Sequence, residues 1–213
     1  MAEPILIGTR GWDRPEWTGA FYPEILPADW RLSFYANNLR SVLVPAETWE
    51  QGTASDVRLW ATDVYAEFRF VLEMPVAAPD FLRRVEPIRS QVAGLLLRVP
   101  PVPDLSWLTA RLGELAACFP ACVDLPPDWR TPDVLGVLTA RGVGLCWHAD
   151  AEPLPVPGGR LMVALSSVRE PKAQRHILET LHAWQGEGSA AALFFDDPEA
   201  AQQARLLAEL MAV

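Results

Sequence analysis

The chain has little lysine and no long apolar run, and each shortage excludes a class of partner. Lys172 is the single lysine among 18 basic residues, and 27 acidic residues give a formal net charge of −9. Because an acidic surface repels phosphate backbones, we expect no nucleic-acid partner. No apolar run reaches the roughly 18 residues of a membrane-spanning helix, so we expect no membrane partner. The oligomeric state stays open.

Cysteine is also scarce, and its pattern is typical of a cytoplasmic protein. Cys118, Cys122 and Cys146 are odd in number and form no disulfide framework, which fits a reducing compartment. Cys118 and Cys122 lack two further ligands at zinc-site spacing, so the sequence predicts no metal site. The amino terminus lacks a basic segment followed by a long apolar one, so we expect no signal peptide. No cofactor can be named from the sequence.

Half of the residues are hydrophobic, which supplies a large core for one domain spanning residues 1–213. Apolar runs of strand length alternate with helical patterns along the whole chain. Eight strands are predicted, at residues 5–8, 41–44, 68–74, 94–99, 122–125, 143–147, 160–165 and 190–195. Helices are predicted at 29–39, 53–63, 79–92, 104–118, 131–142, 171–184 and 198–211, whereas 150–159 is too short and too rich in proline.

This alternation predicts a parallel sheet covered on both faces. Eight such units fit an α/β fold of the (β/α)8 TIM-barrel type, short for its class and with one or more reduced helices. An open doubly wound sheet is the main alternative, although no GxGxxG motif follows the first strand to indicate a dinucleotide site. Locally, Asp29 and Asp104 are predicted to cap the helices that follow them.

A barrel places its active site at the carboxyl ends of the strands, and this rule selects the candidate residues. His148, Asp124 and Glu47 are the candidate catalytic acids or bases, since a histidine and carboxylates there can move protons. Ordinary structural roles remain open: His148 as a solvent-exposed histidine, and Glu73 as a loop acid. The candidate ligand-binding residues are Arg10, Trp12, Trp17, Tyr22, Arg98 and Asp196.

The nine tryptophans have two interpretations. Several of them follow predicted strands, where flat aromatic faces suit planar or sugar-like ligands. Tryptophans can equally plug the mouth of a compact barrel, because burying such large apolar side chains is favourable in itself.

The amino-terminal motifs carry a family resemblance. The runs Gly8-Thr9-Arg10-Gly11-Trp12 and Trp17-Thr18-Gly19-Ala20-Phe21-Tyr22-Pro23 resemble the opening of the YecE-like family, the domain of unknown function seventy-two. Members of that family typically begin with Gly-Thr-Ser-Gly-Trp and a Trp-x-Gly-x-Phe-Tyr-Pro run. Weaker similarities at residues 95–101 and 192–197 extend the resemblance along the chain. It implies a TIM-barrel-like fold.

The chain also departs from that family at several strand ends. Leu43 and Pro45 stand where the family commonly has an acid and an asparagine, and Glu73 stands near its usual lysine. The fifth strand keeps an acid, Asp124, without the arginine and histidine that follow it in the family. The resemblance therefore implies a divergent member with a weakened family site.

Two functions remain open from the sequence. The first is a barrel that binds a small ligand or a partner at the strand carboxyl ends, with its family site weakened or lost. The alternative is a hydrolase or lyase acting on a phosphate- or sugar-like molecule, in which Arg10 binds the anion and His148, Asp124 or Glu47 moves the proton. Whether the chain is an enzyme, and on which substrate, is not decided by the sequence.

Overall fold

The computed structural model describes residues 4–76, 80–156, 158–186 and 188–213, and these form nine parallel strands with helices between them. The strands lie in the order β6-β5-β4-β3-β2-β1-β9-β8-β7. They are β1 (Leu6–Arg10), β2 (Ser41–Val44), β3 (Arg69–Met74), β4 (Val92–Arg98), β5 (Ala121–Asp124), β6 (Gly144–Leu145), β7 (Trp147–His148), β8 (Leu161–Ser166) and β9 (Ala190–Phe195).

One segment, residues 144–148, joins the two ends of this strand order. Its first half, β6, pairs with β5, and its second half, β7, pairs with β8. The change of partner falls at Cys146, whose backbone N–H donates to the Val123 carbonyl at 2.9 Å. The sheet is therefore a nearly closed barrel, which confirms the predicted TIM-barrel-like fold and excludes the open doubly wound sheet. The predicted sixth strand is divided into two short ones.

Several elements match their predictions at both ends, including β2, β9 and two long helices. Glu170 and Asp197 cap these two helices by accepting hydrogen bonds from backbone N–H groups of the first turn, and a proline follows each cap.

Among the described residues, no helix combines the length and apolar character that crossing a bilayer requires. The helices are α1 (Arg31–Asn38), α2 (Ala46–Gln51), α3 (Ala54–Asp63), α4 (Phe81–Val85), α5 (Leu105–Leu115), α6 (Pro132–Arg141), α7 (Pro171–Trp184) and α8 (Pro198–Met211).

Other local predictions are corrected by the structure. Asp29 does not cap α1, because it lies inside a 3-10 turn, and α1 starts only after Trp30, with no side-chain cap. The helix predicted at 79–92 is reduced to α4 and a 3-10 turn, since Pro87 lacks the N–H that would continue an α-helix; Pro79 lies outside the described residues. Asp104 caps α5 as predicted, accepting from the Trp107 N–H at 2.9 Å.

The barrel interior forms its own apolar core, distinct from the larger core that includes residues of the strands and helices. Alternate residues of a strand point to the same face, so the residues two positions after interior side chains lie at the mouth of the barrel. Val71, Leu96, Cys122 and Cys146 belong to the interior core, and the residues that follow them at this spacing are Glu73, Arg98, Asp124 and His148. The apolar core thus forms the floor of a charged mouth.

Candidate functional site

The mouth is crossed by a chain of ion pairs that begins on β1. Arg10 donates from Nε to Glu73 Oε1 at 2.6 Å, and Arg98 donates to the same oxygen at 3.0 Å. Glu73 is thus shared by two arginines from different strands. Its side chain is only 1% exposed, so both arginines contribute to keeping a buried charge neutralised.

The same series of ion pairs continues from Arg98 on β4 to His148 on β7. Arg98 Nη1 lies 2.6 Å from Asp124 Oδ2, and His148 Nε2 lies 2.9 Å from Asp124 Oδ1. Glu73 and Asp124 therefore each lie between two basic side chains. The carboxylate is less exposed than the basic side chains. The Asp124 side chain is 12% exposed, whereas those of Arg10, Arg98 and His148 are 30%, 36% and 40% exposed.

These contacts shift the titration of the carboxylates and the histidine. Burial by itself would raise the pKa of Glu73, but hydrogen bonds and charge from Arg10 and Arg98 outweigh it and lower the pKa below its ordinary value. The pKa of Asp124 is lowered in the same way, against burial, by the His148 hydrogen bond and the Arg98 charge. The hydrogen bond to Asp124 raises the pKa of His148.

Acid is expected to destabilise the protein through Glu73. Because the folded pKa of Glu73 lies below that of the unfolded chain, its contribution is complete above the ordinary value near 4.5 and is lost as the pH falls through the lower folded value. Each pKa unit between the folded and unfolded values corresponds to about 1.4 kcal/mol of unfolding free energy. Urea unfolding between pH 7 and 3 should show a smaller loss of stability in Glu73→Gln than in the original chain. Equal losses would contradict this assignment.

Two cavities open on either side of His148. One, of about 320 Å³, is lined by Arg10, His148, Ser166, Ser167 and other residues. The second, of about 400 Å³, is lined by His148 together with Arg98, Asp124, Arg130 and Glu152, among others. His148 is therefore accessible from both cavities and borders the space that a small molecule would occupy.

The other carboxylates around these cavities also have partners. Asp150 accepts hydrogen bonds from Ser166 Oγ at 2.6 Å and from Ser167 Oγ at 2.7 Å. Glu152 pairs with Arg130 at 2.7 Å. Asp196, a predicted ligand-binding residue, pairs with Arg14 at 2.6 Å and borders the cavity of 320 Å³. These pairs hold the rim of the mouth in place.

Glu47 lies at the edge of the network rather than within it. Its side chain, on α2, is 63% exposed and reaches Arg10 at 3.4 Å. It borders a separate cavity of about 1040 Å³, which Trp12 and Trp60 also line. The structure therefore places His148 and Asp124 in contact, whereas Glu47 lies on another cavity that shares Arg10 and Asp196 with the cavity of 320 Å³.

The predicted aromatic residues are mostly packed inside the protein. Trp12 is 9% exposed and meets Trp60 edge-on at 5.1 Å while bordering the largest of these cavities. Trp17 and Tyr22 are 5% and 1% exposed and pack with Phe21. The Tyr22 hydroxyl donates to the backbone carbonyl of Trp12, which fixes the first-strand loop. The side chain of Trp49 lies outside the described residues.

Three charged residues of the mouth are not among the candidate site residues predicted from the sequence. They are Glu73, for which the sequence leaves a role as a loop acid open, and Arg130 and Glu152. All three lie at or just after strand ends, which is the signal that could have identified them. Asp124, Cys146 and His148 also place one donor atom each within 4.8 Å of the others, a separation that suits a metal ion.

Comparison with known proteins links the chain to one family and to one fold. A family model described as "Protein of unknown function DUF72" matches residues 6–213. A DUF72 family protein from Thermotoga maritima is 16% identical over 98% of both chains, with a TM-score of 0.66. Another, from Enterococcus faecalis, is 13% identical over 100% of both chains, with a TM-score of 0.67. No curated protein matches the chain significantly.

More distant structures share the barrel alone. A protein from Streptococcus mutans named KGPDC is 10% identical over 99% of both chains, with a TM-score of 0.54. At such low identity the similarity shows the fold and carries no activity to this chain. Its chemistry must therefore be inferred from the residues at the mouth.

Proposed function

Because the chain belongs to the DUF72 family, whose description assigns no function, we propose from its own residues that it binds a small anionic molecule at the mouth of the barrel. The observation that supports this proposal is the unequal exposure of the acidic and the basic side chains of the mouth. The side chains of Glu73 and Asp124 are 1% and 12% exposed, while those of Arg10, Arg98 and His148 are 30%, 36% and 40% exposed.

This arrangement favours a phosphate or carboxylate group. The exposed basic groups border the two cavities beside His148, whose volumes of about 320 and 400 Å³ suit a small molecule. Guanidinium groups bind such anions through paired, charge-assisted hydrogen bonds. The carboxylates behind them orient the arginines before a ligand arrives, which lowers the entropy lost on binding.

The proposal includes a weakened family site. Leu43 stands where the resemblance expects a strand acid, and it is fully buried in the interior core. Pro45 offers no side-chain polar group where an asparagine is expected. Glu73 reverses the charge expected near the end of β3 and neutralises two arginines. These changes favour binding over the family's own chemistry.

Removing an arginine from the mouth is expected to weaken anion binding at least tenfold. A charge-assisted hydrogen bond contributes about 1.5–3 kcal/mol, which corresponds to roughly 10- to 150-fold in affinity. Calorimetric titration with inorganic phosphate and sugar phosphates, with a chelator present, would compare the original chain with Arg98→Gln. Arg175→Gln is the matched control, because Arg175 is exposed on α7 and pairs only at the surface with Glu179.

The outcomes of this titration are distinct. Binding that is weakened by Arg98→Gln and unchanged by Arg175→Gln supports the site. Equal affinity in all three proteins, or no binding of any anion by the original chain, refutes it. Circular dichroism of each variant establishes that the loss does not come from unfolding.

A hydrolase or lyase is the second candidate, and the His148–Asp124 pair favours it. A histidine held by a carboxylate at 2.9 Å has the geometry of an acid or base whose orientation is fixed. Incubating the anions that bind and analysing them for products would test this function. Turnover that disappears in His148→Ala would establish the enzyme, whereas binding without turnover would leave the ligand-binding function.

A further inference from the structure

Three side chains of different chemistry meet at the carboxyl ends of β5 and of the segment 144–148. Asp124 is the last residue of β5, Cys146 lies between β6 and β7, and His148 ends β7. Residues 146 and 148 share a strand face, and β5 is the neighbouring strand. The topology therefore directs a thiol, an imidazole and a carboxylate toward one point.

The donor atoms of these residues have the separation that a single ion needs. All three lie within 4.8 Å of one another, and the carboxylate oxygen and imidazole nitrogen are 2.9 Å apart. Donors around tetrahedral zinc, with bonds of 2.0–2.3 Å, lie about 3.3–3.8 Å apart. The carboxylate oxygen and the imidazole nitrogen, now 2.9 Å apart, would have to move slightly apart to reach that spacing.

The surroundings supply the outer contacts of a metal site. An ion bound at Oδ1 of Asp124 would replace the hydrogen bond that Oδ1 now makes with His148 Nε2, while Arg98 would still hold Oδ2 through its hydrogen bond of 2.6 Å. Ligating carboxylates in metalloproteins are commonly oriented by such a hydrogen bond. Glu73 partners Arg98 in turn, so the arginine stays neutralised if Asp124 turns toward a cation.

We propose that Asp124, Cys146 and His148 form a mononuclear site for zinc or a similar divalent transition metal. A thiolate, an imidazole and a carboxylate are the ligand types that zinc selects, and three protein ligands leave a fourth position open. A thiolate and a carboxylate together would balance the two charges of the ion. His148 borders both cavities, so an ion held by its side chain would lie beside the space proposed for the anion.

This site goes beyond the proposed function and does not depend on it. The cysteine spacing considered from the sequence, Cys118 with Cys122, predicted no metal, and the site proposed here uses neither of these two cysteines. The proposed ligands come from two strands that are more than 20 residues apart in the chain. Burial raises the pKa of the Cys146 thiol well above its ordinary value, and a bound dication would favour the thiolate instead.

Cobalt(II) provides the decisive probe, because a cobalt–thiolate bond gives a charge-transfer band in the near ultraviolet. The full chain, first treated with a chelator, would be titrated with Co²⁺, and Zn²⁺ would then displace it. We expect one equivalent to produce the band. Cys146→Ala should abolish it, whereas Cys122→Ala, which alters another cysteine of the interior core, should retain it.

A second pair of variants tests the histidine without changing the interior. His148→Ala should raise the dissociation constant for Co²⁺ at least tenfold, and His176→Ala, an exposed position on α7, should leave it unchanged. If Cys146→Ala does not fold, as judged by circular dichroism, this pair and Asp124→Asn decide the matter.

Three results would overturn the proposal: no band in the original chain, a band that persists in folded Cys146→Ala, or equal affinity in the histidine variants. Phosphate binding measured with a chelator present is independent of each, so the failure of one site is distinguishable from the failure of the other.

Discussion

Replacing Glu73 with alanine is expected to reduce the free energy of unfolding by about 1.5–3 kcal/mol, since charge-assisted hydrogen bonds are lost while Arg10 and Arg98 each keep a second carboxylate partner. Glu73 is 1% exposed and receives hydrogen bonds from Arg10 and Arg98, at 2.6 and 3.0 Å. It also accepts from the backbone N–H of Ala46 at 3.3 Å. Its removal leaves the guanidinium groups of Arg10 and Arg98 near each other without the carboxylate that they share.

Urea unfolding at pH 7 would measure this loss. Glu179→Ala is the matched control, because Glu179 is half exposed and pairs with Arg175 within α7, where an ion pair contributes about 0.3–0.5 kcal/mol. A loss in Glu73→Ala no larger than in the control would mean that the network at the mouth contributes little to the fold. A restored stability in a variant that also lacks Arg98 would identify the closeness of the two arginine charges as the cause.

Substituting Gly8 with alanine is expected to be at least as damaging. A Cβ built on Gly8 would lie 1.9 Å from the backbone oxygen of Ser41 and 2.7 Å from its carbonyl carbon. Gly8 and Ser41 are partners in the pairing of β1 with β2, so the clash is with backbone that cannot rotate away. The hydroxyl of Tyr35, which bonds both to Thr9 and to the Ser41 carbonyl, lies 3.0 Å from the same position.

The expected loss of unfolding free energy is roughly 3 kcal/mol or more, at or above the usual range for overpacking. Gly136→Ala is the matched control, because nothing lies within 4 Å of its added Cβ and the residue is inside α6. There, alanine is expected to increase stability by about 0.5–1 kcal/mol, since it is the better helix former. Thermal and urea unfolding of both variants would show opposite signs, and a neutral Gly8→Ala would contradict the close approach of β1 and β2.

The sequence predicted elements well where local signals were strong. The long helices α7 and α8 begin at a proline that follows a capping carboxylate, and both ends were predicted. The short α2 was missed because six residues carry too little periodicity. Asp29 was assigned as a cap from its position alone, although the chain there forms a 3-10 turn.

The candidate site was predictable in part of its membership, which did not include Glu73, but not in its pairing. The rule that strand carboxyl ends converge selected Arg10, Arg98, Asp124 and His148. Which charges meet depends on strand register, and the partners are 24 to 63 residues apart in the chain. The position of Cys146 depends on the interruption between β6 and β7, which no local pattern indicates.

The divided segment at residues 144–148 also determines where the barrel opens most easily. It pairs with each neighbour over only two residues, whereas β8 and β9 pair over six. Because local unfolding is easier where fewer hydrogen bonds must break, we expect this seam to open more readily than the pairing of β8 with β9. Cys146 and His148 lie in the seam itself. We expect transient separation of these strands to expose the floor of the mouth while the pairing of β8 with β9 stays intact.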